Sequence, residues 1–152
     1  VRTHRNAAAG ETLTVLTDGP VLRAELEVGP VHHAPPAHVH PRAAERFTVV
    51  EGALRLRLGR RRLVLRAGES ALVPPGVVHG YAGVPGTAAR VEVELDPAGR
   101  MGAFFAEIYA VDRRDPRTGA PRLRAAAAVL RRYPDDITVP GVPRLLLDLL
   151  GR

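Results

Sequence analysis

From Thr12 to Leu95 apolar residues recur at every second position, and that period decides what the chain can fold into. The segments LRAELEV (22–28), ALRLRL (53–58), LVLR (63–66) and RVEVEL (90–95) alternate apolar with charged residues, each bounded by glycine or proline. Successive side chains of a strand point to opposite faces, so these read as short, half-buried β-strands. Turn signals recur at Asp18-Gly19-Pro20, Gly29-Pro30, Gly52, Gly59, Gly68, Pro74-Pro75-Gly76 and Pro85-Gly86. Short strands between closely spaced turns predict an antiparallel sandwich or barrel.

After Asp96-Pro97 the period changes. Met101, Phe104, Phe105 and Ile108 fall at helical spacing, as do Leu123, Ala126, Ala127 and Leu130, so two amphipathic helices are expected. Asp96 is placed to N-cap the first, whose opening turns Gly99 and Gly102 weaken. Pro143 opens a short third helix through RLLLDLL, with Gly151 as its stop. The linkers DRRDPRTGAP (112–121) and PDDITVPGVP (134–143) are turn-rich and expected to be exposed. The chain of 152 residues therefore divides into an all-β core over 1–96 and a helical extension over 97–152, packed together as one structural domain.

What the chain lacks narrows its chemistry. It has no Cys, which excludes thiol nucleophiles, disulfides and thiolate-bound metal, and all 22 of its basic residues are Arg, which excludes Schiff-base chemistry. Ser70 is the only serine and Asn6 the only side-chain amide. The remaining inventory of His, Asp, Glu, Arg, Tyr and Thr is that of a His/carboxylate metal site or of acid–base catalysis.

The net charge of +6 raises the possibility of nucleic-acid binding, but the arginines are spread in the wrong way for it. Arg60, Arg61 and Arg62 sit at an expected hairpin tip, and Arg55, Arg57 and Arg66 form the outward face of strands. Aromatic platforms for single strands are missing beside them. A solvated face is the expectation, with no nucleic-acid partner. No apolar run is long enough to span a membrane, and VRTHRNAAAGETLTV has no secretory apolar core, so the expected location is cytoplasmic.

The residues that carry chemistry cluster in HHAPPAHVHPRAAERF (32–47). On a strand His38 and His40 share a face. If Pro41 to Ala44 turns the chain back as a hairpin, Glu45 reaches the same point, on one parity with Phe47 and Val49. His79 follows the bend PPGVV, on one parity with Tyr81. Three imidazoles and one carboxylate make a donor set suited to Mn, Fe, Co, Ni, Cu or Zn. His32 and His33 are adjacent, so at most one looks inward; His32 is a candidate for the pocket wall, as are Phe47 and Tyr81, for which core packing is the alternative. Arg46 and Glu51 are expected to face solvent.

Residues 38–52 read H-x-H-x4-E-x6-G (His38, His40, Glu45, Gly52), and residues 68–79 read G-x5-P-x-G-x2-H (Gly68, Pro74, Gly76, His79). The pair resembles the two motifs of the cupin superfamily, in a small single-barrel member. Two departures stand out: the family's glycine before the first ligand falls at His32, and its closing asparagine at Gly83.

The resemblance implies a jelly-roll barrel holding one divalent transition metal ion on His38, His40, Glu45 and His79. It further implies a metal-dependent enzyme acting on a small anionic or enolisable substrate, with a dioxygenase as the leading form. Glu45 is then the candidate general base, and Tyr81 or His32 a candidate proton relay. Non-redox isomerase, decarboxylase or cyclase chemistry is the alternative, as is a non-enzymatic binding protein. A homodimer through an exposed edge is expected, with Thr12 to Leu16 as the candidate strand. The Phe104, Phe105, Ile108 and Tyr109 stripe is expected to pack on the barrel and could close one end of it.

Overall fold

The computed structural model describes residues 1–111 and 122–150. The described residues form nine strands: β1 (Arg2–Asn6), β2 (Glu11–Asp18), β3 (Leu22–Val28), β4 (Ala44–Glu51), β5 (Ala53–Leu58), β6 (Arg61–Arg66), β7 (Ser70–Val73), β8 (His79–Gly83) and β9 (Ala89–Asp96). They form two antiparallel sheets, ordered β1-β2-β3-β9-β4-β7 and β6-β5-β8. The four segments with the clearest alternation lie within β3, β5, β6 and β9. Their apolar faces meet in one core: Leu22, Leu26, Val49, Val91 and Leu95 from the larger sheet and Leu54, Leu56 and Leu65 from the smaller. The opposite faces carry the charged residues, so Arg46, Arg55, Arg57, Arg66 and Glu51 are exposed as expected. This is a jelly roll made of two facing sheets.

Three helices follow: α1 (Met101–Ala110), α2 (Leu123–Leu130) and α3 (Arg144–Leu150). Phe104, Ile108, Val129, Tyr133 and Ile137 belong to the same apolar cluster as the strands, so the extension and the sheets share a core. Among the described residues no helix is long and apolar enough to cross a membrane. The linker 112–121 and Gly151 lie outside the described residues.

Several expectations need correction. Asp96 does not cap α1: the N-cap is Arg100, whose N–H donates 2.9 Å to the Asp136 carboxylate. Gly99 and Gly102 are there because of close packing, since a Cβ on either would overlap the carboxylate of Asp136 or Asp18 respectively. The segment 134–143 is not wholly exposed; Ile137 is buried, and Thr138 bridges to Val39. Thr12 to Leu16 is not an edge, because β2 lies between β1 and β3, and the edge on that side is β1.

Candidate metal centre

The stretch from Ala34 to Pro41 contains Pro35, Pro36 and Pro41, which lack backbone donors and hold it extended without letting it join a sheet over any length. It is fixed by isolated bridges instead. The backbone of His38 exchanges hydrogen bonds with His79 at 2.8 and 3.0 Å, and that of Val39 with Thr138 at 2.8 and 2.9 Å. The His40 carbonyl accepts from the Gly76 N–H at 2.9 Å. Alternation turns the His38 and His40 side chains to the interior. The expected hairpin between this stretch and β4 does not form, because β4 is already paired on both sides, with β7 and β9. Glu45 reaches the site from the β4 side of the jelly roll and His79 from the start of β8.

All four residues are buried, His79 completely, and each offers a ligand atom within 4.8 Å of the others. Each ring is oriented through Nδ1: His38 donates to the Pro36 carbonyl at 3.1 Å, His40 to the Asp136 carbonyl at 2.8 Å, and His79 to the Val77 carbonyl at 2.9 Å. Carbonyls only accept, so Nδ1 carries the proton in all three rings and Nε2 is turned to the common point. Fixing the tautomer from behind is how metal-binding imidazoles are prepared for their ion.

Glu45 Oε2 lies 2.6 Å from His79 Nε2 and 3.3 Å from His40 Nε2. A carboxylate this close to a ring nitrogen requires something positive between or on the two groups: a proton on Nε2 or a metal ion in its place. The donor set therefore fits a divalent transition ion. Burial depresses the His38 pKa to about 4, with a smaller opposing effect from Glu45, which keeps that ring neutral and ready to ligate. Burial also opposes charge on His40, but the hydrogen-bonded Glu45 carboxylate and the Asp136 carbonyl outweigh it and raise its pKa. For Glu45 itself burial favours the acid, yet His40 and His79 reverse this and hold the carboxyl well below the ordinary range.

Beside these groups lies a cavity of about 130 Å³. Its wall is mainly apolar, with Phe47, Val93, Met101, Phe104 and Leu130 among the lining residues, and His38, His40 and Glu45 reach into it. Tyr81 lines it, and the Phe104, Phe105, Ile108 and Tyr109 stripe both packs on the sheets and closes this space. His33 is exposed. His32 stands behind the wall, stacked on Tyr81 at 5.8 Å between ring centroids, with its Nδ1 accepting from the Gly83 N–H at 3.0 Å.

The two departures from the motif pattern are thus neighbours. A Cβ at Gly83 would sit 2.9 Å from Val28 Cγ1 and 3.0 Å from His32 Cβ, so a side chain at 32 demands its absence at 83. Gly83→Ala is expected to cost about 1–3 kcal/mol in denaturant unfolding. The penalty should shrink in a His32→Gly background; equal penalties in both backgrounds would show that the two positions do not compete for space.

Sequence reasoning missed two residues beside the site. Asp136 supplies the carbonyl that orients His40 and has no sequence signal, since it acts through its backbone. Glu11 lines the cavity and was overlooked, although its parity with Leu13 and Val15 on β2 marks it as inward-facing.

The two-sheet jelly roll carries between its layers a three-imidazole, one-carboxylate group that could hold a metal ion. The family model for the cupin domain matches residues 24–95, and this stretch of the chain is a cupin domain. Among solved structures it is similar to an RmlC-like cupin from Shewanella frigidimarina, with 25% identity, a TM-score of 0.55, and coverage of 62% of this chain and 82% of that one. It is similar to the polyketide cyclase RemF from Streptomyces resistomycificus, with 29% identity, a TM-score of 0.51, and coverage of 57% and 64%. A recombinant oxalate oxidase in complex with glycolate matches at 26% identity and a TM-score of 0.51, over 59% of this chain and 52% of that one. A sequence search of curated proteins returned no match.

Proposed function

We propose that this chain is a metal-dependent enzyme acting on a small, enolisable organic substrate. The observation that carries the proposal is that four convergent donors, three of them imidazoles oriented through Nδ1, open through His38, His40 and Glu45 onto a largely apolar cavity. Nε2 of His38, His40 and His79 and a carboxylate oxygen of Glu45 would hold the ion. When bound, it would supply Lewis-acid polarisation of a substrate oxygen and, if redox-active, electron transfer.

Among the described residues the lining contains Glu11 and Glu45 and no arginine, which supports a neutral carbonyl compound over a small dianion. Phe47, Phe104 and Met101 take its carbon skeleton and exclude water. Glu45 is the candidate base for a C–H proton beside the carbonyl, and the Tyr81 hydroxyl the candidate donor. Removal of that proton is a shared first step for oxidative and non-redox reactions. The likeness to a polyketide cyclase supports the non-redox branch and the likeness to an oxalate oxidase the oxidative one.

Metal-loaded protein is expected to accelerate exchange of the central C–H of acetylacetone or benzoylacetone with deuterium from solvent, relative to the same concentration of free metal, as followed by proton NMR. Oxygen uptake in the same mixture assigns the dioxygenase branch, and exchange without uptake the isomerase, decarboxylase or cyclase branch. If protein carrying one equivalent of metal accelerates neither diketone, the enzymatic reading fails and a binding protein remains. A homodimer is proposed through β1, whose outer edge has no strand partner within the described chain.

A further inference from the structure

Arg100, at the start of α1, is exposed, yet it makes three contacts with one short stretch of chain. Its backbone N–H donates to Asp136 Oδ1 at 2.9 Å, and its guanidinium donates to the Arg132 carbonyl at 2.9 Å. The same guanidinium lies 4.4 Å from the centre of the Tyr133 ring. An arginine free in water loses rotamer freedom on being held in this way, and the carbonyl and cation–π contacts offset the loss. The stretch it holds is a tight turn, in which the N–H groups of Asp136 and Ile137 both donate to the Tyr133 carbonyl, at 3.1 and 3.0 Å. Gly99 leaves room for the approach: its φ is +53°, and a Cβ there would overlap Asp136 Oδ1.

Asp136 faces two ways. Its side chain is on the start of α1, and its carbonyl accepts from His40 Nδ1 at 2.8 Å. His38 and His79 are oriented differently, each by the carbonyl two residues before it, Pro36 and Val77 respectively. Those two acceptors come with the local backbone, whereas the acceptor for His40 lies 96 positions away and has to be put in place. We propose that Arg100 and Asp136 are positioning residues for His40: the start of α1 grips the 132–136 turn, and the turn sets the ring. Of the three imidazoles, His40 is thus the one whose orientation depends on the helical extension.

The use of this arrangement rests on the metal-centre reading, but its geometry does not, so it is tested first in metal-free protein. Proton NMR follows the Nδ1–H of each ring, with His40 assigned from a His40→Gln variant. In the wild type all three protons should exchange slowly with solvent, because each meets a carbonyl. Asp136→Ala should speed exchange severalfold at His40 and leave His38 and His79 unchanged. Asp136→Asn, whose Oδ1 still accepts from the Arg100 N–H, should restore the slow rate. Arg100→Ala should act in the same direction as Asp136→Ala, and because Arg100 is exposed it supplies the test if Asp136→Ala fails to fold. Co(II), titrated by its visible absorbance, should then bind about 10–100-fold more weakly to Asp136→Ala, as expected for loss of a group that orients a ligand, and recover in Asp136→Asn.

Unchanged exchange at His40 in both Asp136→Ala and Arg100→Ala overturns the proposal. Equal acceleration at all three histidines does so too, since it marks a general loosening, as does a loss that Asp136→Asn fails to restore. Undiminished Co(II) affinity in a variant whose His40 proton exchanges fast also overturns it, because the ring would then need no setting. A wild type that takes up no Co(II) removes the metal centre and with it the enzymatic reading, while the exchange rates alone still decide the positioning.

Discussion

His79→Ala protein is expected to carry no stoichiometric metal, whereas the wild type purified without metal-chelate chromatography carries about one equivalent by elemental analysis. The residue joins two roles that a surface histidine would not. Its ring is completely buried, with Nδ1 committed to the Val77 carbonyl and Nε2 2.6 Å from Glu45. Removing it deletes one ligand and leaves Glu45 with only the more distant His40 contact at 3.3 Å. Loss of a residue that merely orients a ligand weakens metal binding about 10–100-fold, so loss of a ligand should exceed the upper end of that range. Far-UV circular dichroism of the variant separates loss of metal from loss of fold. A wild-type protein that neither carries nor takes up a transition ion would remove the metal site altogether.

The largest purely structural effect is expected at Gly52, the glycine that closes the first motif. Its φ is +75°, and a Cβ there would overlap the Ala88 carbonyl oxygen. Two penalties coincide: a left-handed backbone that disfavours a side chain, and a collision with main chain that cannot swing aside. Gly52→Ala should therefore lose about 3 kcal/mol or more, lowering the melting temperature by roughly 6–12 °C for a chain of this size. Gly59 is the control. It has φ of +60°, but a Cβ there meets only Val77 Cγ1 at 4.0 Å, so Gly59→Ala should cost about 1–2 kcal/mol. Equal losses at the two sites would show that the carbonyl contact contributes nothing.

The strands were legible because half-burial writes itself into sequence as a period of two, and LRAELEV and ALRLRL coincide with β3 and β5 in full. The four candidate donors were legible through motif spacing, and the structure brings His38, His40, Glu45 and His79 together. The route to that cluster was not. A local hairpin is the simplest way to join residues seven apart, yet β4 spends its hydrogen bonds on β7 and β9, and His38 pairs with His79 instead. Such pairings depend on which partner competes best for an edge, and no single segment encodes that. Backbone contributions are invisible for a similar reason: any residue at 136 has a carbonyl. Glu11 was readable in principle, as a charge on an inward parity, but the described residues that meet it, His32, Tyr81 and Tyr109, lie 21, 70 and 98 positions away along the chain.

The hydrogen bond from His40 to the Asp136 carbonyl spans 96 positions and ties the metal site to a segment beyond the second helix. Thr138 strengthens the tie by pairing with Val39, between two of the ligands. Any metal uptake at these four residues would therefore be linked to seating of this segment: by whatever factor the seated segment tightened the ion, the ion would favour the seated segment equally. The four-residue centre is shared with the helical extension, and sheets cut free at Asp96 would lack the carbonyl that orients His40.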